Sequence, residues 1–171
     1  MSLNPLVVQL KFTRSEFERC LNGLNENDAQ KRFLPMNCIS WMVGHLADQE
    51  NRYWVKSAQE KILYPQLNDM VGFGKPASIP LLSEMWSAWH QITTAADAYL
   101  DTLTSHILLE HLSPRGQPLK ESIGTMLLRN IYHYWFHIGE AHAVRQISGH
   151  TELPQFVGDM SKACYKPDYY E

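Results

Sequence analysis

Apolar residues recur every three or four positions along four long segments of this chain, residues 5–24, 39–59, 83–105 and 122–148. The stripe in the second segment is formed by Ile39, Met42, Val43, Leu46, Tyr53 and Trp54. This spacing places apolar side chains on one face of an α-helix, where they can pack against a shared core. No segment alternates apolar and polar residues as a half-buried β-strand would. The pattern therefore predicts an all-α fold with four long amphipathic helices.

Capping residues mark the ends of these predicted helices. Asn4 is placed to cap the first helix, and Asn37 or Ser40 to cap the second. Ser83 is placed to cap the third helix, because short polar side chains accept hydrogen bonds from the free N–H groups of a first turn. Gly149 is expected to end the fourth helix, since glycine readily adopts the left-handed conformation that follows many helices.

Two long stretches interrupt the helical periodicity. Residues 63–80 hold three prolines and two glycines, and residues 111–120 hold two prolines and one glycine, so both are expected to be irregular. We therefore expect a four-helix bundle with long connections between helices 2 and 3 and between helices 3 and 4. A tail, residues 150–171, is expected to pack as a flap or short helix, and its aromatic residues are candidates for a dimer face. Its apolar residues include Phe156, Val157, Tyr165, Tyr169 and Tyr170.

Size and composition indicate one folded domain. The chain has 171 residues, of which 44% are hydrophobic and 19% charged, and it contains no repeat or flexible linker. We expect a single domain, residues 1–171, with a core of residues 5–149 and the tail of residues 150–171. The formal net charge of −3 argues against a broad nucleic-acid-binding surface, which is usually basic.

Targeting features and cysteines predict a protein of the reducing cytoplasm. No apolar run reaches the roughly 18 residues of a membrane span, and the first residues lack the basic and apolar regions of a secretion signal. The three cysteines, Cys20, Cys38 and Cys164, are far apart and form no CxxC pair. Neither a disulfide framework nor a thiolate zinc site is therefore expected.

Histidine spacing is the main chemical signal. His133 and His137 lie four residues apart in the fourth helix, so both imidazoles project from one face and can bind a single ion. Such a pair is also found on helix surfaces and in cores. Here the pair shares its face with Met126, Asn130, Ala141 and Val144, which indicates that the face turns inward. Two buried imidazoles need partners, and a metal ion would satisfy both.

A third histidine, His45, lies in the apolar stripe of the second helix, beside Gly44, which permits close approach of another helix. His45 is interpreted either as a metal ligand or as a core histidine bonded to a carbonyl or to Asn130. The other five histidines are expected to be surface residues: His90, His106, His111, His142 and His150.

Several familiar enzyme motifs are absent. The zinc-protease pattern HExxH requires a glutamate after the first histidine, where this chain has Tyr134. No glutamate is followed by a histidine three residues later, as the di-iron sites of ferritin-like bundles require. The chain also lacks a phosphate-binding glycine loop of the Walker A or GxGxxG type.

Two motifs together resemble the DinB/YfiT-like superfamily. The second helix carries Ser40-Trp-Met-Val-Gly-His45-Leu, and the fourth carries His133-Tyr-Trp-Phe-His137-Ile-Gly-Glu140. The family often has glutamine where this chain has Glu140. The resemblance implies a helical bundle with a divalent metal ion, zinc or nickel, bound by His45, His133 and His137. It also implies a homodimer and, for characterised members, transferase or isomerase chemistry with small thiols such as bacillithiol or mycothiol.

These observations favour a metal-dependent enzyme that acts on a small molecule. In the expected reaction a thiol binds the ion as thiolate and attacks an electrophile, and a related hydrolytic activity is also possible. A non-catalytic metal-binding or stress-related protein is the alternative, and a helical interaction protein with core histidines is the third. Gln49 and Glu140 are candidates to accept hydrogen bonds from the ligand imidazoles. The alternative is that both are solvated residues on the helix surface. Asn130 could orient a ligand, and Arg115 is either a solvated loop residue or a contact for an anionic substrate group.

Overall fold

The computed structural model describes residues 3–155 and 157–167, and this part of the chain is helical with no β-strand. Its six α-helices are α1 (Pro5–Leu21), α2 (Glu26–Ala29), α3 (Ile39–Glu50), α4 (Leu67–Val71), α5 (Leu82–Leu100) and α6 (Ile123–Ile147). The all-α class is confirmed, and the four long helices coincide with the four apolar stripes. The long connection before α5 is less irregular than expected, since it contains α4. Phe156, Tyr169 and Tyr170 lie outside the described residues.

Helix α3 continues directly into a π-helical segment, Asn51–Ser57. Each turn of a π-helix contains more residues than an α-helical turn, so the side chains after Glu50 are rotated relative to an uninterrupted α-helix. Segments of this kind are rare and often occur at functional sites. Trp54 and Val55 of this segment are fully buried.

Two helix starts agree with local capping rules. The Asn4 side chain accepts a hydrogen bond from the N–H of Leu6 at 3.0 Å, and Ser122 accepts one from the N–H of Thr125 at 3.3 Å. Gly149 follows the last turn of α6 with φ +88°, as expected for a residue that ends a helix.

The caps expected for the other two long helices are wrong. The N-cap of α3 is Cys38, with no side-chain hydrogen bond to the helix. Helix α5 starts at Leu82, one residue earlier than expected, and Ser83 does not cap it. Instead, the carboxylate of Glu26 in α2 accepts from the N–H of Leu82 at 2.5 Å and from that of Ser83 at 3.3 Å. A cap contributed by another helix leaves no local sequence signal.

The long helices pack in two main pairs, α3 against α5 and α1 against α6, and α3 also contacts α6. Gly44 allows the close approach of α3 to its neighbours. A Cβ atom at this position would overlap Met85 Sδ of α5 and would lie 3.2 Å from Val71 Cγ1 of α4. The expected role of Gly44 in helix approach is therefore supported, and the short helix α4 is one of the elements it admits.

One buried polar network connects all four long helices. Arg14 of α1 donates to both carboxylate oxygens of Glu50 in α3 and, at 2.6 Å, to Asp97 of α5. Tyr134 of α6 donates to Glu50 at 2.7 Å, and Trp89 of α5 donates to the Tyr134 hydroxyl at 2.7 Å. Burial would lower the pKa of Arg14, but the charge of Glu50 raises it overall. The network thus keeps Arg14 charged although it is buried, and pairs it with the buried carboxylate of Glu50.

The tail returns to α1 as a short helical turn, Met160–Ala163. Gln9 donates to the carbonyl of Ala163 at 3.0 Å, and the N–H of Gly158 donates to Glu16 at 2.8 Å. All three cysteines are described and none forms a disulfide. No helix in the described residues combines the length and apolar character needed to cross a bilayer.

Candidate metal centre

Three histidines from two helices converge between α3 and α6. One ring nitrogen from each of His45, His133 and His137 lies within 4.8 Å of the others. The Nε2 atoms of His133 and His137 are 3.1 Å apart, as expected for residues four apart on one helix face. His45 and His137 are buried, whereas His133 is half-buried. The structure therefore brings together all three residues that the sequence proposed as ligands.

The other ring nitrogen of each histidine contacts an oxygen acceptor. His45 Nδ1 is 2.7 Å from the carbonyl oxygen of Val71, and His137 Nδ1 is 2.8 Å from Glu140 Oε2. A carbonyl or carboxylate oxygen only accepts, so Nδ1 carries the proton in both rings. With Nδ1 engaged in this way, Nε2 is the ring nitrogen that His45 and His137 can offer to the cluster.

The tautomer of His133 is fixed through a chain of three side chains. The indole N–H of Trp54, which can only donate, is 2.8 Å from Asn130 Oδ1. The amide nitrogen of Asn130 therefore points the other way and donates to Gln49 Oε1 at 2.9 Å. The same oxygen of Gln49 lies 3.0 Å from His133 Nδ1 and accepts its proton. Like His45 and His137, His133 thus presents an unprotonated Nε2 to the cluster.

The surroundings of His45 and His133 disfavour their protonated forms. Burial is the main cause that lowers the pKa of His133 from 6.5 to about 3, followed by repulsion from the neighbouring histidines and Arg52. Burial is also the main cause of the lowered pKa of His45. Neutral imidazole is the form that binds metal ions, so His45 and His133 are in their ligating state at neutral pH.

The donor set fits a divalent transition-metal ion. Three unprotonated nitrogens that face one another have no proton to share, so they lack hydrogen-bond partners among themselves. Two imidazole nitrogens at about 2.0–2.1 Å from one ion lie about 3.0–3.4 Å apart at usual coordination angles, and the observed Nε2 separation is 3.1 Å. Three neutral imidazole ligands would leave a bound ion its full charge and an open position, which is typical of catalytic rather than structural sites.

Aromatic and charged side chains surround the cluster. Trp41 stacks on His45 with ring centroids 4.3 Å apart, and its edge faces His137 at 6.4 Å. Asp48, one turn after His45, is buried and accepts from Arg52 Nε at 2.9 Å. Trp41 therefore covers one side of the cluster, while Arg52 places a positive charge near it.

The four residues proposed from the sequence to assist the histidines differ in what they contact. Glu140 contacts His137 as expected, but Gln49 contacts His133 rather than His45, because Val71 already accepts from His45. Asn130 is fully buried and acts on His133 through Gln49. Arg115 is exposed in the Pro114–Gly116 turn and contacts none of the three histidines.

The remaining five histidines lie outside the cluster. His90, His106 and His111 are exposed, as expected. His142 is half-buried and lines a cavity of about 480 Å³ between α1, α6 and residues 150–155. His150 was expected at the surface but bridges two charged residues, because it accepts from Arg145 and faces Asp28 at 3.3 Å. None of the three clustered histidines lines the cavity, so cavity volume does not mark the candidate metal centre.

Sequence reasoning missed four contributors to this centre: Trp41, Arg52, Trp54 and the carbonyl of Val71. Trp41 had a signal, since it lies four residues before His45 and therefore on the same helix face. Trp54 reaches Asn130 across 76 positions of sequence. Val71 depends on α4, which lies in a segment rich in glycine and proline. Neither long-range contact has a local sequence signature.

Comparison with known families now adds to this geometry. A family model described as mycothiol-S-transferase matches residues 5–149, a range that includes all three clustered histidines. Comparison with curated proteins gave no significant match. The matched family belongs to the DinB/YfiT-like group, so the resemblance inferred from the two histidine motifs is confirmed. This chain is therefore a member of the mycothiol-S-transferase family.

Proposed function

We propose that this chain is a metal-dependent enzyme that transfers a small thiol to an electrophilic substrate. In this proposal His45, His133 and His137 hold the ion. The observation that carries it is the convergence of one ring nitrogen from each histidine, while the Nδ1 atom of each ring contacts an oxygen acceptor. Membership in a family named for transfer with mycothiol supports a thiol as one substrate.

The chemistry divides between the ion and the chain. A bound divalent ion would favour the thiolate form of a thiol, which is the nucleophilic form. Val71, Gln49 and Glu140 keep the three imidazoles in the tautomer and orientation that bind the ion. Trp41 covers His45 and limits the access of water from that side. In the net reaction the S–H bond and the bond between the electrophilic carbon and its leaving group break, and an S–C bond forms. The leaving group departs with the electron pair of its bond, and the proton joins it or enters solvent.

The proposal also covers the identity of the ion, the domain organisation and the cellular location. Zinc and nickel are the proposed ions, because both accept imidazole nitrogen. We propose one domain over residues 1–171, with the core at residues 5–149 and the tail at residues 150–171. The three free cysteines fit the proposed reducing cytoplasm.

A homodimer is part of the proposal. The outward face of α6 carries Tyr132, Phe136 and Ile147, which are 64%, 67% and 56% exposed. Large apolar side chains clustered on one helix face are typical of protein contacts. Light scattering coupled to size exclusion would report twice the mass of one chain, and Phe136→Glu should convert the protein to monomers. A wild-type protein with the mass of one chain would contradict the dimer.

Elemental analysis tests the metal. We expect about one ion per chain, as for a single three-histidine site, and its loss in His45→Ala and His133→Ala. His106→Ala, a change at an exposed histidine far from the cluster in sequence, is the matched control and should keep the ion. Retention of a full complement of metal in both ligand variants would contradict the proposed site.

Turnover tests the enzyme. The metal-loaded protein should conjugate a small thiol to monochlorobimane, and chelation or His133→Ala should abolish this conjugation. Turnover that survives complete removal of metal would contradict the proposal. A protein that binds metal but conjugates none of a panel of thiols, mycothiol and bacillithiol included, would instead support the non-catalytic metal-binding alternative.

A further inference from the structure

The cavity of about 480 Å³ between α1, α6 and residues 150–155 has the size of a ligand site. Sites for small organic molecules usually have volumes of about 300–1,000 Å³. The wall formed by residues 150–155 lies outside the range that the family model matches, residues 5–149. The cavity therefore depends on a segment that the family match does not include, and none of the clustered histidines lines it.

The wall of residues 150–155 is held at both ends. At its start, Arg145 of α6 donates to His150 Nδ1 at 3.1 Å. At its end, Arg19 of α1 donates to the carbonyl of Gln155 at 2.7 Å. A segment tied to two helices in this way keeps its position without a ligand, as is usual for small-molecule sites.

The chain that follows this wall returns closely to α1. The N–H of Gly158 donates to Glu16 at 2.8 Å. A Cβ atom on Gly158 would lie 2.7 Å from Glu16 Oε1 and 3.0 Å from Arg19 Nε, so a larger residue would push the tail away from α1. The close approach of the tail therefore depends on glycine at this position.

Gly139 opens the wall that α6 contributes to the cavity. It lies inside the helix, where glycine lowers stability relative to alanine. A Cβ atom on Gly139 would have no described atom within 4 Å, so no packing contact requires the glycine. At Gly44, by contrast, a Cβ atom would overlap Met85 Sδ. The absent side chain at Gly139 instead lets a ligand approach the backbone of α6.

The other walls combine apolar side chains with an unpartnered polar group. Ile138 of α6 and Leu153 and Pro154 of the tail supply apolar surface. His142 also lines the cavity, and its imidazole has no hydrogen bond or ion pair within the described residues. A mainly apolar lining with a few polar groups suits a ligand that has both an apolar and a polar part.

Positive charge predominates at Cys20, which lines the cavity. Burial raises the pKa of the Cys20 thiol, whereas the charges of Arg145 and then Arg19 act to lower it. The charge of Glu16 opposes them more weakly. Arg145 is 5% exposed and donates to the Cys20 carbonyl and to His150, with no carboxylate partner in the described chain. A buried cation without a counter-ion favours an anion nearby.

We propose that this cavity binds a small amphipathic organic anion at a site separate from the histidine cluster. The apolar part of the ligand packs against Ile138, Leu153 and the open backbone at Gly139. The positive charges of Arg145 and Arg19 favour its acidic group. Because charge makes the selection, a carboxylate, a sulfonate or a phosphate group on the ligand would be attracted in the same way.

Two fluorescent dyes test the site: anilinonaphthalene sulfonate, an organic anion, and phenylnaphthylamine, which has the same rings without the sulfonate. Both emit more strongly in apolar surroundings. We expect saturable binding of both dyes to the wild type and its loss in Gly139→Leu, whose side chain would fill the cavity. Phe136→Glu, at an exposed position of α6 outside the cavity, is the matched control and should bind both dyes normally.

Three results would overturn the site. The first is the absence of saturable binding to the wild type. The second is binding that Gly139→Leu leaves unchanged. The third is loss of binding in Phe136→Glu, which would assign the dyes to the outward face of α6. Circular dichroism on every variant shows whether the fold persists, because partly unfolded proteins also bind such dyes.

The ratio of the two dye affinities tests the charge. Arg19→Gln removes a positive charge and should weaken the anionic dye relative to the neutral one by about fivefold to tenfold. Glu16→Gln removes a negative charge and should strengthen the anionic dye relative to the neutral one. If either residue served only to hold the tail, both affinities would change together. An unchanged ratio in both variants would overturn the assignment of an anion.

Metal removal separates this inference from the proposed function. Both dyes should bind equally to the zinc-loaded and the metal-free protein, because no proposed metal ligand lines the cavity. Dye binding that requires zinc would overturn a separate site. A protein that takes up no zinc but binds the dyes as expected would refute the proposed function and support this inference.

Discussion

Replacing Gln49 with leucine tests whether the Trp54–Asn130–Gln49 chain sets the metal affinity of His133. The substitution introduces an apolar side chain of similar size and removes the oxygen that accepts from His133 Nδ1 at 3.0 Å. Without this acceptor the ring can rotate or exchange tautomers, and Nε2 loses its fixed position in the cluster. The change does not alter any of the three proposed ligands.

The structure sets the size of the effect. Removing a partner that orients a metal-bound histidine typically reduces metal affinity by about 10- to 100-fold, or about 1.4–2.7 kcal/mol. Asn130 is fully buried, and the same change leaves its Nδ2 without an acceptor. An unpaired buried donor costs about 1–3 kcal/mol of unfolding free energy. Gln49→Leu should therefore weaken both zinc binding and the metal-free fold.

Competition with a chelating dye measures the zinc affinity, and urea unfolding in the presence of chelator measures the stability. Gln49→Glu should retain near-native zinc affinity, because a carboxylate also accepts from His133. Gln9→Leu, which removes a hydrogen bond between α1 and the tail at 3.0 Å, is the matched control and should lower stability without changing zinc affinity. An unchanged zinc affinity in Gln49→Leu would refute the proposal that the Trp54–Asn130–Gln49 hydrogen bonds set the metal affinity of His133.

Three further predictions concern the fold. Arg14→Met should lower the free energy of unfolding in urea by about 3–5 kcal/mol, because it leaves the buried Glu50 carboxylate without its cation. The double variant Arg14→Met/Glu50→Gln should be more stable than Arg14→Met alone, and equal stability of the two variants would contradict this explanation. Because the pKa of His133 is lowered in the folded protein, the unfolded chain binds a proton below pH 6.5 that the native chain does not. The stability of the metal-free protein should therefore fall as the pH drops from 6.5 toward about 3, and it should fall less steeply in His133→Asn. Identical slopes of stability against pH in the two proteins would contradict this prediction. Gly139→Ala, with open space at its Cβ, should raise stability in thermal unfolding by about 0.5–1 kcal/mol, because alanine favours a helix over glycine. Gly44→Ala should lose this gain, because its Cβ would overlap Met85 Sδ and lie 3.2 Å from Val71 Cγ1; an equal gain at both positions would contradict the close approach of α4 and α5.

The sequence predicted the helices and the three clustered histidines because both signals are local. Apolar periodicity defines a helix face within one segment, and the spacing of His133 and His137 places both rings on one turn. The motif around His45 added the third residue through a family pattern. Each of these features can be identified within about ten residues of sequence.

The contacts that orient the histidines could not be predicted in the same way. Gln49 was expected to lie near His45, its neighbour on α3, yet it contacts His133 on α6. Its position depends on Trp54, which the π-helical segment directs toward Asn130. The cap of α5 by Glu26 likewise joins residues that are far apart in sequence. Both depend on how separate helices meet, which the composition of a single segment does not determine.

The network around Arg14 and Glu50 bears on how this protein can be handled in the laboratory. Its members bind all four long helices together, and none of them is a candidate metal ligand. The scaffold is therefore held by contacts that removal of an ion would not disturb, unlike a zinc finger, which unfolds when its metal is removed. One preparation can be stripped by a chelator and reconstituted in parallel with zinc, nickel or cobalt. Differences in rate among the reconstituted samples would then reflect the ion itself rather than the fraction of refolded protein.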